Sequence, residues 1–173
     1  MEHKIIDTQE VVIRFTGDSG DGMQLTGTLF ADASALYGNE ISTFPDYPAE
    51  IRAPQGTVSG VSGFQVHIGA TEVKTPGDYC DVLVAMNPAA LKANAKWAKP
   101  GASIIIDTDS FDEKGIEKAG FTTNDPIAEM KLEDYHILAA PITSLTKESL
   151  KDSGLDNKAI IRSKNMFVLG MCY

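Results

Sequence analysis

The chain has 173 residues, 43% of them hydrophobic and 23% charged, which suits one soluble domain with a full-sized core. A formal net charge of -9 argues against nucleic acid or an anionic membrane as a partner, while leaving room for a local basic pocket. Its two cysteines, Cys80 and Cys172, are too few for a four-thiolate cluster and read as buried thiols in a reducing compartment. No N-terminal stretch resembles a signal peptide, and no run of about 18 apolar residues occurs. The expected compartment is the cytoplasm, with no membrane contact.

Residues 1–10 read as an N-terminal extension and 11–173 as a single domain. VVIRFT (11–16) is a β-rich run ending at Gly17. After Gly22, the apolar residues Met23, Leu25, Leu29, Phe30, Ala33 and Leu36 mostly follow a helical period, and Gly38 with Asn39 supplies the stop. EISTFP (40–45) reads as a second strand, and PDYPAEIRAPQG (45–56), with three prolines, as a loop. VSGVSGFQVHIG (58–69) alternates as one longer strand, with Val66 and Ile68 on one face and His67 on the other. CDVLVAM (80–86) is a continuous apolar run of the kind buried on both faces.

NPAALKANAKWA (87–98) predicts a helix with Asn87 as N-cap, Pro88 at its first position and Trp97 as a packing residue near its end. ASIIIDTD (102–109) is another buried strand. DEKGIEKAG reads as a short helix or turn, and PIAEMKLEDY as weakly helical. HILAAPI (136–142) is a last strand, SLTKESLKDSG a helix closed by Gly154, and NKAIIRSKNMFVLGM a final helix. Strands alternating with helices predict a three-layer α/β/α domain with a mostly parallel sheet. The 58–69 strand follows a loop rather than a helix, which allows a mixed sheet.

The main chemical candidate is the glycine-rich turn formed by Gly17, Asp18, Ser19, Gly20, Asp21 and Gly22. At the carboxyl end of a parallel strand, such a turn lets backbone N–H groups approach an anion. Its spacing is G-x-x-G-x-G, not the dinucleotide G-x-G-x-x-G. Met23 and Gln24 stand where a triphosphate loop has Lys and Ser/Thr. The other reading is a tight turn whose aspartates stabilise a helix N-terminus. Arg52 is the candidate partner for a phosphate or carboxylate, or else pairs with Glu50, Asp18 or Asp21. Asn87, at the end of the 80–86 strand, is placed to face the same cleft. Asp107 and Asp109 read as capping or solvated residues before a metal pair, and His3, His67 and His136 lack metal-ligand spacing.

Three segments together carry a resemblance: GDSGDGMQLTGTLFADA after a strand, YPAEIRAPQGTVSGVSGFQVHIG, and DVLVAMNPAAL. With the terminal RSKNMFVLGM, the chain resembles the gamma-type domain of 2-oxoacid:ferredoxin oxidoreductases over about residues 9–171. The Gly20–Asp21–Gly22 form of the turn is more like the version fused to the front of the alpha subunit of 2-oxoglutarate enzymes. NMFVLGMCY ends with its apolar pattern still running, which fits a piece of such an alpha subunit, or else a C-terminal helix packed on the core.

The resemblance implies a non-catalytic domain of an enzyme that turns a 2-oxoacid and coenzyme A into acyl-CoA and CO2. Such an enzyme uses thiamine diphosphate, Mg2+ and iron–sulfur clusters held elsewhere and passes electrons to ferredoxin. It also implies a role in coenzyme A binding; Gly17–Gly22 and Arg52 are the expected contacts on this chain, the alternative being that the turn serves only the interface with the alpha part. The implied partners are the remaining alpha portion and a beta subunit. Self-association is the weak expectation for an isolated piece. The competing readings are a free-standing nucleotide-binding module and a purely structural interaction domain.

Overall fold

The computed structural model describes residues 8–47 and 60–173. Six strands form one sheet in the order β2-β3-β1-β4-β5-β6: β1 Glu10–Asp18, β2 Glu40–Asp46, β3 Val61–Gly69, β4 Cys80–Ala85, β5 Ala98–Asp107 and β6 His136–Ala140. β3 runs antiparallel to β1 and β2, and β1, β4, β5 and β6 pair in parallel. The sheet is therefore mixed, with β3 as its reversed strand.

Alternation along the central strands fills both faces. Val12, Leu83, Ala85, Ile104 and Ile106 pack with Ala90 and Leu91 of helix α2 (Pro88–Asn94) and with Leu132. On the other face Ile13, Phe15, Val84 and Ile105 meet Met23 and Phe30 of α1 (Met23–Leu36), Ile142 of α5 (Ile142–Leu150) and Val168 of α7 (Lys164–Cys172). Helices α3 (Glu113–Lys118) and α4 (Pro126–Glu129) are short connectors, and α6 (Asn157–Arg162) lies between α5 and α7.

Four elements differ from the sequence expectation, each for a local reason. The 87–98 helix stops at Asn94, gives a 3-10 turn at Ala95–Trp97, and β5 starts at Ala98. Gly101 (φ 75) lets the Lys-Pro-Gly stretch stay in the strand as an irregularity: Ala98 pairs with Cys80 before the register shifts to Val82↔Ser103. The last strand ends at Ala140, because Pro141 has no N–H to donate and Ile142 already begins α5. The final helix is two helices. The Ser163 hydroxyl donates to the Ala159 carbonyl at 3.0 Å, and the helix is interrupted there.

The fourth difference is in α1. Its core stripe is Met23, Thr26, Gly27, Phe30, Ala31 and Ser34, whereas Leu25, Leu29 and Leu36 face outward. Small residues are what the close approach to β3 requires. A Cβ on Gly27 would penetrate the Phe64 ring and lie 2.8 Å from Phe64 Cβ.

Candidate functional site

The carboxyl ends of β1 and β4 meet beside the N-terminus of β3. The strand β1 runs through Gly17 to Asp18, so the turn proper is short and leads to Gly22 (φ 74), the N-cap of α1. Only glycine adopts this backbone without strain, and a Cβ there would also strike the Asn165 amide. Asn87 does two jobs. Its Oδ1 accepts the Ala90 N–H at 2.8 Å, capping α2 as its position before Pro88 predicts, and its Nδ2 donates to Asp18 Oδ1 at 3.0 Å. The cleft expected between Asn87 and the glycine turn is thus formed.

The aspartates precede the N-terminus of α1 without making a side-chain cap. That helix has no side-chain cap, because the Asp21 carboxylate faces back into the turn. Its Oδ2 accepts the Asp18 N–H at 2.9 Å, the Asp18 carbonyl accepts the Asp21 N–H at 2.9 Å, and Lys164 Nζ lies 2.9 Å from Asp21 Oδ1. A Cβ on Gly17 would sit 2.8 Å from Asp21 Oδ2. The glycine loop therefore holds an anion, and the anion is its own side chain. Burial, and then the neighbouring Asp21 charge, raise the Asp18 carboxyl above its ordinary 3.8, with the Asn87 hydrogen bond opposing them.

Beside this turn lies a cavity of about 440 Å³ lined by Asp18, Ser19, Asp21, Asn87, Ser110 and the two lysines Lys118 and Lys164, with Gly60 and Met86–Ala89 completing the wall. Lys164 is committed to Asp21, whereas Lys118 is solvent-exposed at the end of α3. Of the sequence candidates, Asp18, Ser19 and Asp21 line this cavity, and Gly17, Gly20 and Gly22 belong to the turn behind it. Arg52, with Glu50, lies outside the described residues.

Asp107 and Asp109 act as caps. Asp107 takes the Thr143 N–H and hydroxyl at 3.2 and 2.6 Å, and Asp109 takes the Ser144 N–H and hydroxyl at 2.6 and 2.9 Å. Both thus anchor the start of α5. His67 contacts the Thr75 carbonyl and Glu10, a structural role. Burial pushes the Cys80 thiol up to about 11 and the Cys172 thiol up to about 12. These two thiols lie in different core layers and cannot together ligate a cluster. Among the described residues no group of three or more His, Cys, Asp or Glu is arranged to hold a metal ion.

The sequence reasoning missed Arg14, Lys118 and Lys164. Arg14 is buried at 6% exposure inside β1, donating to Asn94 Oδ1 at 2.9 Å and Gln65 Oε1 at 3.1 Å and pairing with Asp46. A lone cation inside the apolar run VVIRFT was the available signal. Trp97 packs at the surface: it is 38% exposed, with the Tyr79 ring 6.4 Å and the Arg14 guanidinium 6.0 Å from its ring.

A mixed-sheet α/β/α domain, with a glycine turn at the carboxyl edge and a polar cavity beside it, defines the class. The chain belongs to the pyruvate ferredoxin/flavodoxin oxidoreductase family, whose model matches residues 12–173. It is 49% identical over 163 residues to the 2-oxoglutarate oxidoreductase subunit KorA of Mycobacterium tuberculosis, covering 94% of this chain and 25% of that subunit. It is similar in structure to the 2-oxoglutarate:ferredoxin oxidoreductase of Magnetococcus marinus, solved with 2-oxoglutarate, coenzyme A and succinyl-CoA bound. That match has a TM-score of 0.68 and 28% identity, over 95% of this chain and 24% of that one. The gamma subunit of a keto/oxoacid ferredoxin oxidoreductase from Geobacter sulfurreducens shares the fold at a TM-score of 0.63 and 22% identity, over 94% of this chain and 75% of that one. The chain thus spans about a quarter of the KorA and M. marinus chains. Among the described residues no helix is long and apolar enough to cross a membrane.

Proposed function

We propose that this chain is the gamma-type domain at the front of a 2-oxoglutarate:ferredoxin oxidoreductase alpha subunit, acting in the cytoplasm. It supports the coenzyme A-dependent conversion of the 2-oxoacid to acyl-CoA and CO2 without carrying the reacting centre. The observation that carries this reading is the 49% identity to KorA over nearly the whole chain. The M. marinus relative, solved with coenzyme A bound, adds the ligand. The clusters are assigned to the rest of the enzyme, since the two thiols here lie in different core layers and do not fit one, and thiamine diphosphate with Mg2+ is placed there by the resemblance.

Coenzyme A carries phosphates, and the cavity offers Lys118, Ser19 and Asn87 at its wall. The turn backbone is a poorer phosphate cradle, because Asp21 already takes the Asp18 N–H. In this reading Gly17, Gly20 and Gly22 shape the turn, Asp18 and Asp21 hold it, and Lys118 with Arg52 meets the anion. A free-standing nucleotide module fits less well, because the spacing matches neither nucleotide loop and the turn is filled.

The test is a coenzyme A titration of the complete oxidoreductase carrying Lys118→Ala or Arg52→Ala. Loss of one solvent-accessible charge contact of about 1 kcal/mol weakens apparent affinity about 5-fold, with 2-oxoacid affinity unchanged. Unchanged coenzyme A affinity in both variants would leave the purely structural reading in its place.

A further inference from the structure

Helix α1 carries large apolar side chains on the side away from the core as well as toward it. Leu25, Leu29 and Leu36 are 53%, 38% and 89% exposed. At 3.6 residues per turn the three fall within an arc of about 40°. Asp32 is the one charge between residues 23 and 36. Helix α7 extends the surface. The Tyr173 ring lies 6.1 Å from the Tyr37 ring and 6.2 Å from the Phe30 ring, and Met166, Met171 and Tyr173 are all exposed. Lys164 is the one charge in residues 164–173, and it turns inward to Asp21. In a chain with 23% charged residues, two neighbouring helices with almost no outward charge are not a solvated surface. The adjacent α5, with Lys147 and Glu148, shows what a solvated helix looks like here.

We propose that the α1–α7 face is where the remainder of the oxidoreductase subunit packs onto this domain. The proposal rests on the functional reading above. Its occupant is the remainder of the subunit because this domain is only 25% of KorA and 24% of the M. marinus chain. In both, three quarters of a chain is joined to it. Asp32, exposed and about 20° from Leu25 on the same arc, is the one charge on this stripe, so the partner surface is apolar with a polar or cationic group opposite Asp32.

The test uses the assembled oxidoreductase with a benzoylphenylalanine photo-crosslinker at Leu29 or Leu36, and at Glu148 as control. Both leucines point away from this domain's own core, so either replacement is compatible with its folding. Peptides captured by mass spectrometry from the part of the subunit outside this domain, at both leucine positions and not at Glu148, are the expected result. Capture of a second copy of this domain, capture of a separate subunit unrelated to the remainder of KorA, or no capture would each overturn the proposal. A failed coenzyme A titration with the crosslinks intact would remove only the coenzyme A role.

Discussion

Replacing Lys164 with Met keeps the bulk of the side chain and removes its charge. The ammonium lies 2.9 Å from Asp21 Oδ1, and the two side chains are only 13% and 15% exposed. At an effective dielectric of 20, such a pair attracts by about 6 kcal/mol before desolvation is counted. Removing one partner of a fully buried pair costs about 3–5 kcal/mol because the other charge stays behind. The residual exposure lowers that to about 2–4 kcal/mol here. For a chain of this length the Tm should drop by about 5–15 °C. Asp21 is left beside Asp18 with the Asp18 N–H as its one remaining bond. Adding Asp21→Asn should then recover much of the loss, because the stranded charge disappears. Thermal and urea melts of wild type, both single variants and the double variant close a thermodynamic cycle with a coupling of at least about 1.5 kcal/mol. A coupling below about 0.5 kcal/mol would refute the view that this pair holds the turn to α7.

Three further outcomes are expected. Because the folded Asp18 carboxyl is raised above 3.8, the folded state binds its proton more tightly than the unfolded chain, so this group lowers stability as pH rises through that window. Asp18→Asn should therefore melt higher than wild type at pH 7, and the gap should close as pH falls below 3.8. A persistent gap at low pH would contradict the assignment. Gly27→Ala forces a methyl into Phe64, so overpacking of about 1–3 kcal/mol outweighs the gain of up to about 1 kcal/mol in helix propensity. Gly20→Ala, with nothing within 4 Å, should be near neutral, and an equal Tm for the two variants would argue against the close α1–β3 approach. Arg14→Lys keeps the charge but loses the fork that serves Asn94, Gln65 and Asp46 at once, and should lower stability by about 2 kcal/mol or more in urea melts.

Much of this fold was legible from periodicity. The buried runs at 80–86 and 102–109 are central strands because a parallel pair covered on both faces selects continuous apolar residues. Asn87 was legible as a cap, and its place beside the turn followed from its position at a strand end. Helix α1 was legible as a helix but not in its orientation. The hydrophobic pattern points Leu25, Leu29 and Leu36 inward, whereas Gly27 and Phe64 require small residues at the sheet. The Lys164–Asp21 pair was beyond local reading, since it joins residues 143 positions apart across a helix break set by one serine hydroxyl. Arg14 was overlooked because a strand pattern tolerates one polar residue and says nothing of the Gln65 and Asn94 that receive it.

The carboxylate of Asp21 has a consequence for competition. A group tethered within the loop it occupies stands at a high effective concentration and does not diffuse away. Free phosphate at ordinary concentrations is a weak rival to it. Ser110 and Lys118, which line the neighbouring cavity from outside the turn, can vary without disturbing it.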